Sequence, residues 1–195
     1  MILIIHGPPA AGKTTIATFL ADRLGLPLFG TDRLAEWLHD AAGERSDSLG
    51  GVFGGLSYEL MFRLLGEHLR ADSSAIFEAC LNPVGSRRRI EALRGDRDVT
   101  VVEIFVFAEP AALVDRYRAR ADAGARHAVH GDERDRAGRL EAHLAVTDYA
   151  PLGFAGERRC HGIELDTTRW DRLDLDALAA RLSALGTGGP GLAAR

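Results

Sequence analysis

Residues 7–14 read Gly7-Pro8-Pro9-Ala10-Ala11-Gly12-Lys13-Thr14, the pattern G-x-x-x-x-G-K-T, and no other segment limits the possible folds as much. A loop of this kind must leave a buried strand and open a helix, because its backbone N–H groups cradle a phosphate at the helix N-terminus. Both flanks comply. Ile2-Leu3-Ile4-Ile5 is an apolar run suited to a parallel strand covered on both faces, and Ile16, Phe19, Leu20 and Leu24 fall on one helical face. Gly7 and Gly12 give access to backbone conformations closed to residues with a Cβ, which turns successive N–H groups inward. Lys13 is the only lysine among the 24 basic residues. Its compact ammonium reaches the β- and γ-phosphates through a gap that arginine's planar fork would not fit. The Thr14 hydroxyl is placed to ligate Mg²⁺. The candidate nucleotide site is therefore Gly7, Pro8, Pro9, Ala10, Ala11, Gly12, Lys13, Thr14 and Thr15, with ATP and Mg²⁺ as its ligands.

The rest of the chain alternates in the same way. Leu26 to Phe29 reads as a second strand ending at Gly30-Thr31-Asp32, and Leu34, Trp37, Leu38 and Ala41 as a helical stripe after it. Residues 43–57 are rich in glycine and serine and read as a mobile loop. Leu60, Met61, Leu64 and Leu65 mark a helix, Ser74 to Ala79 a third strand, and Ser86 the cap of a short arginine-rich helix. Val99 to Phe107 is a fourth strand, Pro110 opens a helix, Gly162 to Asp166 is a fifth strand, and Leu175, Leu178, Ala179 and Leu182 belong to a last helix. Five strands separated by helices predict an α/β fold: an open parallel sheet with its site at the carboxyl ends of the strands. One domain over residues 1–185 is expected, with a helical lid at about 116–145 and a disordered tail over 186–195.

Composition excludes some classes. A net charge of −4 and a pI near 6.0 argue against a protein built to coat nucleic acid or anionic membrane. The opening apolar run is too short and lacks the basic lead of a signal peptide. Cys80 and Cys160 form no C-x-x-C and read as free thiols of a cytoplasmic protein.

The strand-end rule selects two carboxylates. Asp32 follows strand two and Glu78 ends strand three, so both overhang the edge where the loop holds phosphate. Asp32 is the candidate base for an acceptor hydroxyl, and Glu78 is the candidate partner of Thr14 at Mg²⁺. Asp32 also suits a helix N-cap, and Glu78 a solvated strand end. Downstream, Arg116, Arg120 and Arg126 are candidate lid arginines that would neutralise a transferring phosphoryl group and exclude water; the other reading is a solvated face paired with Asp115, Asp122 and Asp132. His127 and His130 lie three apart with no third ligand at a fitting spacing, so they do not read as a metal site. Arg87-Arg88-Arg89 either coats a helix or lines the acceptor pocket.

Taken together, the Gly7–Thr14 loop, Asp32, Glu78, the spaced arginines with Gly124-Ala125-Arg126-His127, and Glu164-Leu165-Asp166-Thr167-Thr168 resemble the small bacterial P-loop kinases, over roughly residues 1–185. That group includes chloramphenicol phosphotransferase, zeta toxins and the kinase part of polynucleotide kinases. Phe29-Gly30-Thr31-Asp32 is similar to the segment carrying the catalytic aspartate of chloramphenicol phosphotransferase, which implies that role for Asp32. Two positions depart from the group. Polynucleotide kinases usually have arginine three residues after that aspartate, where this chain has Ala35, and the strand-three acid is usually aspartate, where this chain has Glu78.

The resemblance and the residues together imply an ATP-dependent kinase acting on a hydroxyl of a small molecule such as an antibiotic, sugar or nucleoside, working as a monomer or homodimer away from membranes. The acceptor is expected between strands two and three, under residues 43–57. A polynucleotide or RNA-end 5′-hydroxyl kinase is the alternative, and a nucleotide-dependent switch ATPase is a second.

Overall fold

The computed structural model describes residues 1–49, 51–124, 126–131 and 133–186. Its centre is a five-stranded, wholly parallel sheet: β1 (Ile2–His6), β2 (Leu28–Gly30), β3 (Ala75–Ala79), β4 (Val101–Phe107) and β5 (Cys160–Asp166), in the order β2-β3-β1-β4-β5. The expected α/β fold is the observed one. β1 lies in the middle, so the loop leaving it opens at the centre of the carboxyl edge.

Strand alternation divides the core into two layers. Ile2, Ile4, Ala75, Phe77 and Val101 face one side, where Met61, Phe62, Leu65 and Leu69 of α4 (Val52–Arg70) and Ile90 of α5 (Pro83–Arg94) cover them. Leu3, Ile5, Ile76, Val102 and Ile104 face the other, against Ile16 and Leu20 of α1 (Lys13–Leu24) and Leu178 and Leu182 of α8 (Leu175–Gly186). Covering both faces is what the uninterrupted apolar strands require. A smaller cluster, Val114, Tyr117, Ala121 and Leu140, joins α6 (Pro110–Ala123) to α7 (Glu133–Val146) over the expected lid region.

Several expectations are corrected. Within the expected loop over 43–57, the described residues 43–49 and 52–57 are helical. They form a 3-10 turn (Gly43–Arg45), α3 (Ser46–Leu49) and the start of α4. Gly54 and Gly55 each disfavour a helix by ~1 kcal/mol, but Phe53 and Ser57 on the same turns are buried, and Phe53 packs edge-on against His39 at 5.4 Å. Tertiary burial outweighs the local preference. The stripe on α2 (Thr31–Ala42) is shifted as well: Leu34 and Ala35 are buried, whereas Trp37 is 51% exposed under the Arg33 guanidinium, 5.1 Å from its ring centroid.

The helix expected from Ser86 starts earlier. Asn82 caps it, accepting the Gly85 N–H at 3.0 Å with Pro83 in the first turn, and Ser86 is buried within it. The strand bounds move by up to two residues. α8 runs through Gly186, where the tail was expected to begin, and the remainder of that tail lies outside the described residues. Both cysteines are free thiols. Among the described residues no helix is long and apolar enough to cross a membrane.

Candidate active site

The loop between β1 and α1 has the backbone its glycines allow. Gly7 has φ 144°, and a Cβ there would lie 1.9 Å from the Val106 carbonyl oxygen; Gly12 has φ 89°, and a Cβ there would lie 2.5 Å from the Trp170 ring. Neither site has room for a side chain. Pro8 and Pro9 carry no N–H, and the Ala11 N–H donates to the Pro8 carbonyl at 3.4 Å within the loop. Lys13 is buried and its Nζ donates to the Pro8 carbonyl at 2.8 Å, which holds the ammonium across the mouth of the loop.

Glu78 alternates onto the α1 side of the sheet, beside Thr14, whose Oγ1 donates to Glu78 Oε2 at 3.4 Å. The carboxylate is 6% exposed. Burial raises its pKa, opposed by the charge of Lys13 and reinforced by that of Asp32. It is therefore no solvated strand end. A Cβ on Gly30, its register partner, would come within 2.9 Å of Oε2, so glycine at this position gives the acid its room. A hydroxyl and a buried carboxylate side by side at a phosphate loop suit a hard divalent cation such as Mg²⁺.

Asp32 lies in the first turn of α2, whose N-cap is Gly30 with no side-chain capping bond. The capping role therefore falls away. The carboxylate is half exposed and accepts from Arg126 Nη2, contributed by the segment after α6. The acids Asp32, Glu36 and Asp40 recur every four residues along α2, and each meets a basic group of that segment: Arg126 on Asp32, His130 Nε2 on Glu36 Oε1 at 2.8 Å, and His127 Nε2 on Asp40 Oδ1 at 2.9 Å. Three pairs at helical spacing hold the segment against α2.

These groups enclose one cleft of about 870 Å³, lined by Lys13, Thr14, Asp32, Glu78, Tyr58, Cys80, Arg116, Arg120 and Arg126 among others. The structure thus lines one cleft with Lys13, Thr14, Asp32, Glu78, Arg116, Arg120 and Arg126, together with Pro9, Ala10, Gly12 and Thr15 of the loop, whereas Gly7, Pro8 and Ala11 do not line it. Arg116 is held from behind: its Nη1 donates to Thr167 Oγ1 at 3.1 Å, and Thr167 Oγ1 itself donates to the Ala11 carbonyl at 2.9 Å. The Arg120 guanidinium lies 4.7 Å from the Tyr117 ring centroid.

A family model described as an AAA domain (AAA_33) matches residues 2–140. The chain belongs to this AAA domain family. The match takes in the phosphate loop, both carboxylates and α6, and stops before β5, so Thr167 and Trp170 lie beyond it. Among solved structures, a candidate kinase from Chloroflexus aurantiacus J-10-fl is 26% identical, with a TM-score of 0.78 over 94% of this chain and 96% of the other. A sugar kinase from Janibacter sp. HTCC2649 (19% identity, TM-score 0.56, 100% and 98% coverage) and a gluconokinase from Sinorhizobium meliloti 1021 (15% identity, TM-score 0.51, 95% and 91% coverage) share the fold. No curated protein matches. The P-loop fold expected from the resemblance is therefore the fold of this AAA domain and of these neighbours.

Sequence reasoning missed several residues of the family member's site. Tyr58 of α4 donates its hydroxyl to the Cys80 carbonyl, and burial raises the phenol's pKa; it enters the cleft because the helix already begins at Val52. Thr167, fully buried, ties the phosphate loop to Arg116. The buried His6–Glu103 pair, 2.9 Å apart, sits under the loop, with Glu103 also accepting the N–H groups of Leu152, Gly153 and Phe154. An acid inside an otherwise apolar strand was the available signal. The arginine run does not enter the cleft: Arg87 donates to the Leu152 carbonyl at 2.9 Å, and Arg89 makes a two-pronged bond to Glu59 at 2.6 and 2.7 Å.

Proposed function

We propose that this AAA domain is an ATP-dependent kinase that transfers the γ-phosphate to a hydroxyl of a small molecule. The observation that carries the reading is a single cleft holding the phosphate loop, a half-exposed Asp32 that caps no helix, and arginines of the lid. The Asp32 carboxylate accepts the acceptor's proton as its oxygen forms the new bond to the γ-phosphorus, and the bond to the ADP oxygen breaks. Lys13, Arg116, Arg120 and Arg126 oppose the charge spreading over the transferred group.

Arg126 and Asp32 pair in the present arrangement, so productive binding moves Arg126 from the base to the phosphoryl group. Thr14 and Glu78 would hold Mg²⁺, which neutralises phosphate charge when bound. Tyr58 of α4 and the β2–β3 edge frame the acceptor side. The pairing of Arg87 and Arg89 with Leu152 and Glu59 favours a small acceptor over a nucleic-acid end. We place the enzyme in the cytoplasm, as a monomer or homodimer.

The test is a screen of ATP turnover and product mass with hydroxylated antibiotics, sugars, nucleosides and 5′-hydroxyl oligonucleotides. One small molecule that stimulates ADP release and gains the mass of a phosphoryl group is expected. Stimulation by oligonucleotides alone would make the chain a polynucleotide kinase, and slow hydrolysis that no acceptor stimulates would make it a switch.

A further inference from the structure

One polar cluster lies outside the cleft. His39 and Asp40, in the last turn of α2, meet His127, 87 residues from Asp40 in sequence. One ligand atom from each of the three side chains lies within 4.8 Å of the others. His127 Nε2 is 2.9 Å and His39 Nδ1 3.6 Å from the same oxygen, Asp40 Oδ1. His39 Nδ1 is shielded from solvent and has no hydrogen-bond partner. The rings of His39 and His127 meet edge-on at 5.0 Å, and Phe53 backs His39.

We propose that His39, Asp40 and His127 form a binding site for a divalent transition-metal ion, Zn²⁺ above all, which clasps the lid segment to α2. Two imidazoles and one carboxylate match the ligand preference of Zn²⁺, whereas Mg²⁺ takes oxygens. Zinc bonds of about 2.0–2.2 Å set tetrahedral ligand atoms roughly 3.3 Å apart. Asp40 Oδ1, at 2.9 and 3.6 Å from the two ring nitrogens, already stands near that separation from each, so the adjustment left is a turn of the two imidazoles toward one another. The Arg126–Asp32 and His130–Glu36 pairs already hold the two elements in contact, so little ordering is left for the ion to impose. Water completes the coordination. The proton on His127 has somewhere to go. Its Nδ1 accepts the Val129 N–H at 3.2 Å, so the neutral ring carries its proton on Nε2; metal capture at Nε2 shifts that proton to Nδ1 and frees the Val129 amide.

None of the three residues lines the phosphate cleft, so the site is tested apart from activity. The chelator-stripped full chain is titrated with Zn²⁺ by calorimetry, as wild type and as His39→Gln, His127→Gln and Cys80→Ala. One ion per chain is expected, weakened at least ~10-fold in both histidine variants and unchanged in Cys80→Ala, with equal melting points in the absence of metal. In the wild-type chain, Co²⁺ should broaden the ring signals of His39 and His127 before those of the other histidines, and Zn²⁺ should speed hydrogen exchange at the Val129 amide. Absence of wild-type binding, binding retained in both histidine variants, or broadening that starts at other histidines overturns the site.

Discussion

Replacing Asp32 with asparagine separates chemistry from folding at the residue on which the proposed reaction most depends. The structural cost is small. Asp32 and Arg126 pair with side chains 55% and 22% exposed, and such surface pairs contribute roughly 0.2–1 kcal/mol. A negative charge in the first turn of α2 adds roughly 0.3–1 kcal/mol through the helix dipole. No capping bond is lost, because Gly30 is the cap. Stability should therefore fall by about 1–2 kcal/mol at most, at roughly 2–4 °C of melting temperature per kcal/mol for a chain of this size.

Chemistry should suffer far more. Loss of a general base costs ~10²–10⁴ in rate, equivalent to about 2.7–5.4 kcal/mol of barrier. ATP is held by a separate loop, so its Kd should stay within a few-fold. Rapid-quench measurement of the phosphoryl-transfer step, with the acceptor found by the product screen, gives the decisive number. A kcat for Asp32→Asn within a few-fold of wild type refutes the base assignment and directs attention to Glu78.

Other perturbations test other parts. Lys13→Ala and Lys13→Arg should both lose Mg·ATP binding and turnover, the first for charge and the second for shape; calorimetry with wild-type affinity for either one would remove the phosphate-loop reading. Gly30→Ala should leave the fold intact but displace the Glu78 carboxylate, 2.9 Å from the new methyl, so the Mg²⁺ concentration needed for half-maximal activity should rise while the melting point barely moves. Glu103→Ala strands His6 and three backbone N–H groups, and breaking a buried pair of this kind costs about 3–5 kcal/mol in denaturant unfolding.

Burial alone would raise the Glu103 pKa, but the bonds from His6, Leu152 and Phe154 outweigh it and hold the carboxyl below its usual range. Its contribution is therefore full above the ordinary glutamate value near 4.5 and is lost as pH falls through the depressed one, so the variant should show a flatter acid limb in stability against pH. Hydrogen exchange at His127 to His130 should slow when ATP and acceptor bind together; unchanged exchange in the ternary complex would make the lid arginines an ordinary surface.

The phosphate loop, its strand and its helix could be read directly from sequence, because their physics is local: glycines at fixed spacing, an apolar run before them and a helical stripe after. Asp32 and Glu78 followed from one further rule, that parallel strands bring their carboxyl ends to a common edge. What remained illegible depends on distant neighbours. The glycine- and serine-rich stretch over 43–57 carries every local mark of a loop, yet α4 begins within it at Val52 because Phe53 and Ser57 find a buried face. Whether Asp32 capped α2 depended on where that helix began, a matter of two residues that placed the cap at Gly30. Thr167 stands in the Glu164–Thr168 run that carries the resemblance, but its role shows only once the end of β5 sets it beside Ala11 and Arg116. His127 and His130 offered no third metal ligand at a fitting sequence spacing, since His39 and Asp40 reach His127 only when the segment after α6 lies along α2. Sequence determined which chemistry the chain carries at its strand ends. Tertiary structure decided which side chains meet across them, because contacts between residues so far apart exist only once the two core layers have closed on the sheet.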